Sequence, residues 1–207
     1  MARVLLASGS ERRRVMIDEL FPGDGVEIEF CTLEGAEPDP TTGLEVRVQV
    51  ENASESKAVF LAMKLEKSDI FDLAVVSDTL VEDPDDLEIA LGKPKDNLEA
   101  ASTLIRLSGR RHKVWSSTAI VNRNGHGVDI GHGWSANIFT DYAIVEFDEI
   151  DPELLENMVV NGAWIGKAGG YDLAREAGSF SRIILGHEST VLGLSIRAVE
   201  ELRRMLS

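Results

Sequence analysis

The chain opens on a continuous apolar run, Arg3-Val4-Leu5-Leu6-Ala7, that predicts a short buried strand. Ser8-Gly9-Ser10 turns the chain, and Val15, Met16 and Leu20 follow a helical pattern until Pro22-Gly23-Asp24-Gly25 breaks it. Val26-Glu27-Ile28-Glu29-Phe30 alternates as a second strand. Beyond an acidic, proline-rich loop from Glu34 to Gly43, apolar residues recur at Val46, Val50, Ala53, Val59, Phe60 and Met63, which predicts a helix from about Leu44 to Leu65. Asp72-Leu73-Ala74-Val75-Val76 reads as a core strand ending at Ser77-Asp78-Thr79, with polar side chains at its carboxyl end. Glu82 to Glu88 reads as a solvated acidic loop, and Asn97 to Leu107 as a helix stopped by Ser108-Gly109. Two strands, His112 to Arg123 and Trp134 to Phe147, flank the turn Asn124-Gly125-His126-Gly127. Asp151-Pro152 opens a helix to about Val160, and a glycine-rich stretch from Gly162 to Gly178 precedes a last strand and a helix from Ser195 to Leu206. Alternating strands and helices predict an α/β protein, and the antiparallel hairpin makes its sheet mixed.

Length and composition narrow the class. With 207 residues, 43 % hydrophobic and 28 % charged, the chain can bury about two-thirds of its unfolded surface without disulfides. Thirty-six acids against 21 bases leave a net charge of −15, which disfavours nucleic acid and anionic membranes as partners but leaves room for a small anion in one basic cleft. The opening MARVLLASGSERRR lacks the long apolar core of a signal peptide, and no run of about 18 apolar residues exists to span a membrane. Cys31 is the only cysteine, so no internal disulfide or multi-thiolate metal site can form; the cytoplasm is the expected compartment.

Three segments carry candidate chemistry. Ser8-Gly9-Ser10-Glu11-Arg12-Arg13-Arg14 puts hydroxyls, free N–H groups and guanidinium forks at a helix start, a composition suited to phosphate. The bland alternative is a serine cap with a solvated basic turn. Three arginines there oppose the helix macrodipole, which favours an anion as compensation. Ser77-Asp78-Thr79 could supply a general base or a metal ligand, although an Asx-turn aspartate is the simpler reading of that tripeptide alone. Leu91-Gly92-Lys93-Pro94-Lys95 aims a lysine from a loop but is no Walker motif. His112, His126, His132 and His187 lack metal-site spacing and read as surface imidazoles. Gly162, Gly166, Gly169 and Gly170 do not make a dinucleotide fingerprint, and Trp115, Trp134 and Trp164 read as core or interface. The run Asp83-Pro84-Asp85-Asp86 reads as a solubilising loop, with a second metal contact left open.

Seven motifs in order, Leu6-Ala7-Ser8-Gly9-Ser10-Glu11-Arg12-Arg13, Ser54-Glu55-Ser56-Lys57-Ala58, Ser77-Asp78-Thr79, Leu91-Gly92-Lys93-Pro94-Lys95-Asp96, Leu107-Ser108-Gly109-Arg110-Arg111-His112-Lys113-Val114, Lys167-Ala168-Gly169-Gly170-Tyr171 and Val191-Leu192-Gly193-Leu194, resemble the Maf family of nucleoside triphosphate pyrophosphatases over essentially the whole chain. The resemblance implies one domain over 1–207, with an elongated mixed sheet flanked by helices, two lobes and a central cleft, similar to inosine triphosphate pyrophosphatase. It implies hydrolysis of a nucleoside triphosphate to the monophosphate and pyrophosphate with a divalent metal, magnesium or manganese. In the family's terms Asp78 accepts the proton of water, Lys57 and Lys93 balance charge, and Ser8, Ser10, Arg12 and Arg13 hold the triphosphate. Glu37 helps Asp78 hold the metal, with Glu34 as the competing carboxylate, and Thr79 and Ala174 lie with Arg12 where base preference is set. The chain departs from the family pattern at Glu11, where proline is usual, at Ser116-Ser117-Thr118, where a Thr-Gly pair is usual, and at Thr190, where asparagine is usual. It also has Ala174, followed by Arg175, where members acting on dTTP and UTP usually carry glutamine.

Phosphate chemistry needs a base, fixed cations and oxygen ligands, and all three kinds of group are present. The alternatives are a nucleotide-binding regulator of cell division with little turnover, and a sugar-nucleotide or phosphoester hydrolase on a related sheet. Keeping Asp78 with two lysines favours the enzyme. Related folds commonly pair, so a homodimer is a further expectation.

Overall fold

The computed structural model describes residues 1–23, 25–33, 35, 43–65 and 71–206, without the side chain of residue 176. Among the described residues, eight strands form one mixed sheet. Strand β1 (Ala2–Ala7) pairs in parallel with β2 (Val26–Cys31) on one side and β3 (Leu73–Glu82) on the other. Strand β3 then pairs antiparallel with β5 (Arg111–Asn122), and β5 with β7 (Trp134–Phe147). Short strands β4 (Ala90–Leu91), β6 (Val128–Gly131) and β8 (Ser181–Leu185) complete the edges.

Side chains on a strand alternate between faces, and β3 shows what this does. Ala74 and Val76 pack with Leu5, Ala7, Ala58 and Leu61 beneath helix α2 (Val46–Lys64). Leu73 and Val75 pack on the other face with Val4, Leu6 and Ile17, the last from α1 (Glu11–Leu20), and with Ala198 and Leu202 of α6 (Ile196–Leu206). Farther along, Val81, Val114, Val145 and Phe147 form a separate core with α3 (Asn97–Leu107) and α4 (Pro152–Val160). The cores on the two faces around β1 make one lobe and the core with α3 and α4 the other, and the cleft is lined from both.

Local chemistry sets the helix ends. Asp96 caps α3 by accepting from the Glu99 N–H at 2.8 Å, and Asp151 caps α4 ahead of Pro152 by accepting from Glu153 N–H at 2.9 Å. Gly109, at φ +68°, takes the left-handed turn after α3.

The structure corrects four readings of the sequence. Strand β3 does not stop at Ser77; it runs through Asp78 and Thr79 to Glu82. The turn at 124–127 leads into β6, so β5 pairs with β7 across the sheet and not as the two arms of a tight hairpin. A short helix α5 (Glu188–Leu192) precedes the last helix. The acidic loop is not wholly solvated: Asp83 is 3 % exposed, and both its carboxylate oxygens take hydrogen bonds from Arg106.

The Arg106 fork holds the Asp83 carboxyl below its ordinary range. A depressed folded value means the pair stabilises the fold fully above the unfolded carboxyl value of about 4 and loses that contribution as pH falls through the folded value. Asp83→Asn therefore lowers the urea midpoint at neutral pH, and the gap to the wild type narrows below about pH 4. A gap that is constant with pH would show that charge is not what the fork contributes.

Candidate active site

Asp78 continues the Ala74–Val76 row and so faces α2. Helix α2 is fixed there by Ser54, fully buried, whose hydroxyl lies 2.6 Å from Ser117 Oγ of β5. Lys57 stands one turn later on the same helix face and forms an ion pair with Asp78 Oδ1. The side chains of Lys57 and Asp78 are 13 % and 19 % exposed. The pair is thus partly screened from water yet open to the cleft.

Ser77 and Thr79 point to the opposite face, where α1 delivers its arginines. Arg13 donates from Nε to the Gly193 carbonyl at 2.8 Å, from Nη1 to the Ser77 carbonyl at 2.9 Å and Ser8 Oγ at 3.2 Å, and from Nη2 to Thr79 Oγ1 at 2.9 Å. Burial pulls its pKa down to about 10, opposed by the nearby Asp78 charge, so the guanidinium stays charged at neutral pH. Arg12 swings the other way and pairs with Asp172 at 3.4 Å, and Lys167 stands 3.9 Å from the same carboxylate. Arg14 lies over the Phe30 ring. The three consecutive arginines therefore have three different partners.

A cleft of about 860 Å³ collects these groups. Ser8, Ser10, Arg12, Arg13, Lys57, Asp78, Thr79, Lys93, Ala174 and Arg175 all line it. Every described residue singled out for the site on sequence grounds thus reaches one cavity. Glu37 and its competitor Glu34 lie outside the described residues. Thr79 lines the cleft with a hydroxyl already shared between Arg13 and Ser116 Oγ, 2.8 Å away. Among the described residues no group of three or more His, Cys, Asp and Glu could hold a metal by itself.

Sequence reasoning missed Asp172, 5 % exposed, which anchors Arg12 across the cleft from residues far away in the chain. Its only local signal is the position beside Tyr171, after the glycine-rich stretch. It also misplaced His112. The ring is buried against Phe147, its Nε2 is 2.9 Å from the Tyr171 hydroxyl, and burial lowers its pKa to about 3. His112 is a neutral core residue behind the cleft and not a surface imidazole. The same burial raises the Tyr171 hydroxyl far above its ordinary value. Trp134 and Trp164 are core residues, as expected.

Fold and site define a two-lobed mixed α/β protein whose cleft sets two carboxylates, Asp78 and Asp172, against cations. The chain belongs to the Maf-like protein family, whose family model matches residues 3–206. It is 31 % identical over 212 residues to the dTTP/UTP pyrophosphatase of Dechloromonas aromatica (strain RCB), an alignment covering 99 % of this chain and 97 % of that one. It is 32 % identical over 193 residues to the dTTP/UTP pyrophosphatase of Nitratidesulfovibrio vulgaris, covering 93 % and 82 %. The fold is similar to that of a HAM1 protein from Coxiella burnetii, with a TM-score of 0.54 at 16 % identity over 100 % of this chain and 98 % of the other.

Asp172→Asn keeps the shape but removes the charge that holds Arg12. A hydrogen bond to a charged group contributes about 1.5–3 kcal/mol, so denaturant midpoints fall by a corresponding amount. An unchanged midpoint would mean that Asp172 is not what holds Arg12.

Proposed function

We propose that this protein hydrolyses a nucleoside triphosphate to the monophosphate and pyrophosphate. The observation that carries the reading is the Lys57–Asp78 pair in the wall of the cleft, with Ser8, Ser10, Arg12 and Lys93 lining the same cavity. The names of the two relatives agree with this chemistry. The regulator reading gains no support from them.

In this mechanism the triphosphate lies along the cleft with its oxygens on Arg12, Lys93 and the Ser8–Ser10 turn at the start of α1. Lys57 holds the Asp78 carboxylate in place and meets the charge that builds on the phosphate oxygens. Water attacks phosphorus, its proton passes to Asp78, and the anhydride bond to the leaving pyrophosphate breaks. A divalent metal, magnesium or manganese, fits this donor set. Magnesium characteristically takes one or two carboxylates together with substrate phosphates; Asp78 would supply one, and the family resemblance assigns the second to Glu37, which lies outside the described residues. The chemistry it adds is neutralisation of phosphate charge.

The base end falls at Thr79, Ala174 and Arg175, which line the same cleft. Ala174 offers no hydrogen bond to a base edge, so base choice rests on its neighbours. The same reading has one domain over 1–207 working in the cytoplasm on a nucleotide, with neither nucleic acid nor a membrane as partner, and a homodimer as its assembly. The net charge of −15 supports the exclusion of polyanions, and no helix among the described residues is long and apolar enough to cross a membrane.

Asp78→Asn preserves shape and deletes the base, so pyrophosphate release falls by about 10²–10⁴ in kcat while the protein remains folded. Wild-type turnover in this variant would remove Asp78 from the mechanism.

Base choice is read as the ratio of kcat/KM for UTP to that for a purine triphosphate. Ala174→Gln introduces an amide and raises this ratio. A wild type already strongly selective for UTP, with an unchanged ratio in the variant, would show that position 174 does not read the base.

A further inference from the structure

We infer that Arg13 is a positioning residue and not a phosphate ligand: its guanidinium takes the place of the strand that leaves β3 and sets the spacing of Ser8, the Ser77–Thr79 segment and the Gly193 turn. The inference rests on the hydrolysis proposed above and deepens it.

Three observations carry it. Parallel pairing of β1 with β3 ends at Leu6 opposite Val75, whereas β3 continues to Glu82. Backbone groups two residues apart point to the same strand edge, so Ser77 presents its carbonyl where β1 would have continued. Arg13 Nη1 donates to that carbonyl. Second, a guanidinium has five N–H donors, and protein oxygens take four of them in Arg13. One donor is left for any ligand. Third, the Gly193 carbonyl accepts both Arg13 Nε and Ser77 Oγ, the latter at 2.7 Å, and Gly193 itself is shaped around the arginine. Its φ is +118°, and a Cβ there would lie 2.7 Å from Arg13 Nε.

The consequence is mechanical. Ser8, Thr79 and the last turn of α5 each meet the catalytic cleft, and one planar fork holds all three. Asp78 lies between two residues whose positions Arg13 sets. Lysine carries the charge but cannot reproduce the fork.

The test compares Arg13→Lys, Arg13→Gln and Gly193→Ala with the wild type. Gly193 is not among the residues lining the cleft, so its variant disturbs Arg13 without touching a ligand. Two quantities are measured: kcat and KM for UTP, and the Kd of inorganic tripolyphosphate. Displacement of reacting groups by about an ångström can cost 10²-fold, so kcat is expected to fall about 10- to 100-fold in all three variants. KM and Kd are expected to stay within about threefold, and Arg13→Lys is expected not to rescue kcat. A Kd raised about tenfold or more in Arg13→Gln, with Gly193→Ala binding as the wild type does, overturns the inference in favour of a phosphate ligand. If Gly193→Ala does not fold by circular dichroism, Arg13→Lys replaces it in this comparison: a Kd raised about tenfold in Arg13→Gln but unchanged in Arg13→Lys, which keeps the charge, overturns the inference. Should the wild type release pyrophosphate from no nucleoside triphosphate, the hydrolysis reading fails, and the tripolyphosphate Kd still decides Arg13 by the same criterion.

Discussion

A carboxylate in the middle of a central strand is costly unless a cation reaches it. Asp78 occupies such a place, with β5 paired along one side and α2 packed across its face. Lys57 answers that demand, and meeting it constrains much of the surrounding structure. Helix α2 must keep one face against the sheet for the lysine to arrive, and the buried Ser54–Ser117 contact one turn earlier holds it there. The pleat then dictates the rest. Because Asp78 faces α2, Ser77 and Thr79 face α1, and the cleft is lined from both sides of a single strand.

The position of the cleft follows from the sheet's change of direction. Strand β1 runs parallel to β3 for a short stretch and leaves at Ala7, while β3 carries on beside antiparallel β5 and β4. The departure exposes one edge of β3 beside the turn Ser8-Gly9-Ser10, which starts α1. An unpaired strand edge inside a protein needs donors and acceptors from elsewhere. Arg13 provides donors on one face. The two cores on either side of this gap contain different helices, α1 with α6 and α3 with α4, so the gap persists as a cleft between lobes.

Elements whose burial is local were legible in the sequence. The alternation of β2, the period of α2, the Asp-Pro start of α4 and the Ser-Gly stop of α3 all reappear within a residue or two. What failed depended on distant partners. Ser77 and Thr79 looked like the end of a strand because they are polar; they stay in the strand because Thr118 Oγ1 and Ser116 Oγ meet them from β5. His112 looked like a surface imidazole, and only Tyr171, 59 residues later, gives its buried Nε2 a partner. The arginine run was correctly read as a conflict with the helix macrodipole. In the structure Asp172, backbone carbonyls and the Phe30 ring each take one arginine, partners that the local sequence does not reveal. Most of the site was recoverable because its residues lie in short motifs, whereas Asp172 is tied to Arg12 only through the fold.

An acidic protein that binds a polyanion poses an apparent contradiction, since a net charge of −15 repels it at long range. At physiological ionic strength that repulsion is screened beyond about 8 Å, so local charge decides. Many of the bases are spent on exposed pairs, Arg110 with Asp85, Arg182 with Asp148 and Arg204 with Glu201, which neutralise surface and contribute little else. Arg12, Lys57 and Lys93 converge instead on a concave site where low-dielectric walls strengthen each charge. Arg12 and Lys57 are held in advance by Asp172 and Asp78, so in the proposed reaction an incoming phosphate would meet cations already in position and need not order them. The carboxylates that seem out of place in a phosphate cleft are therefore what keeps its cations aimed.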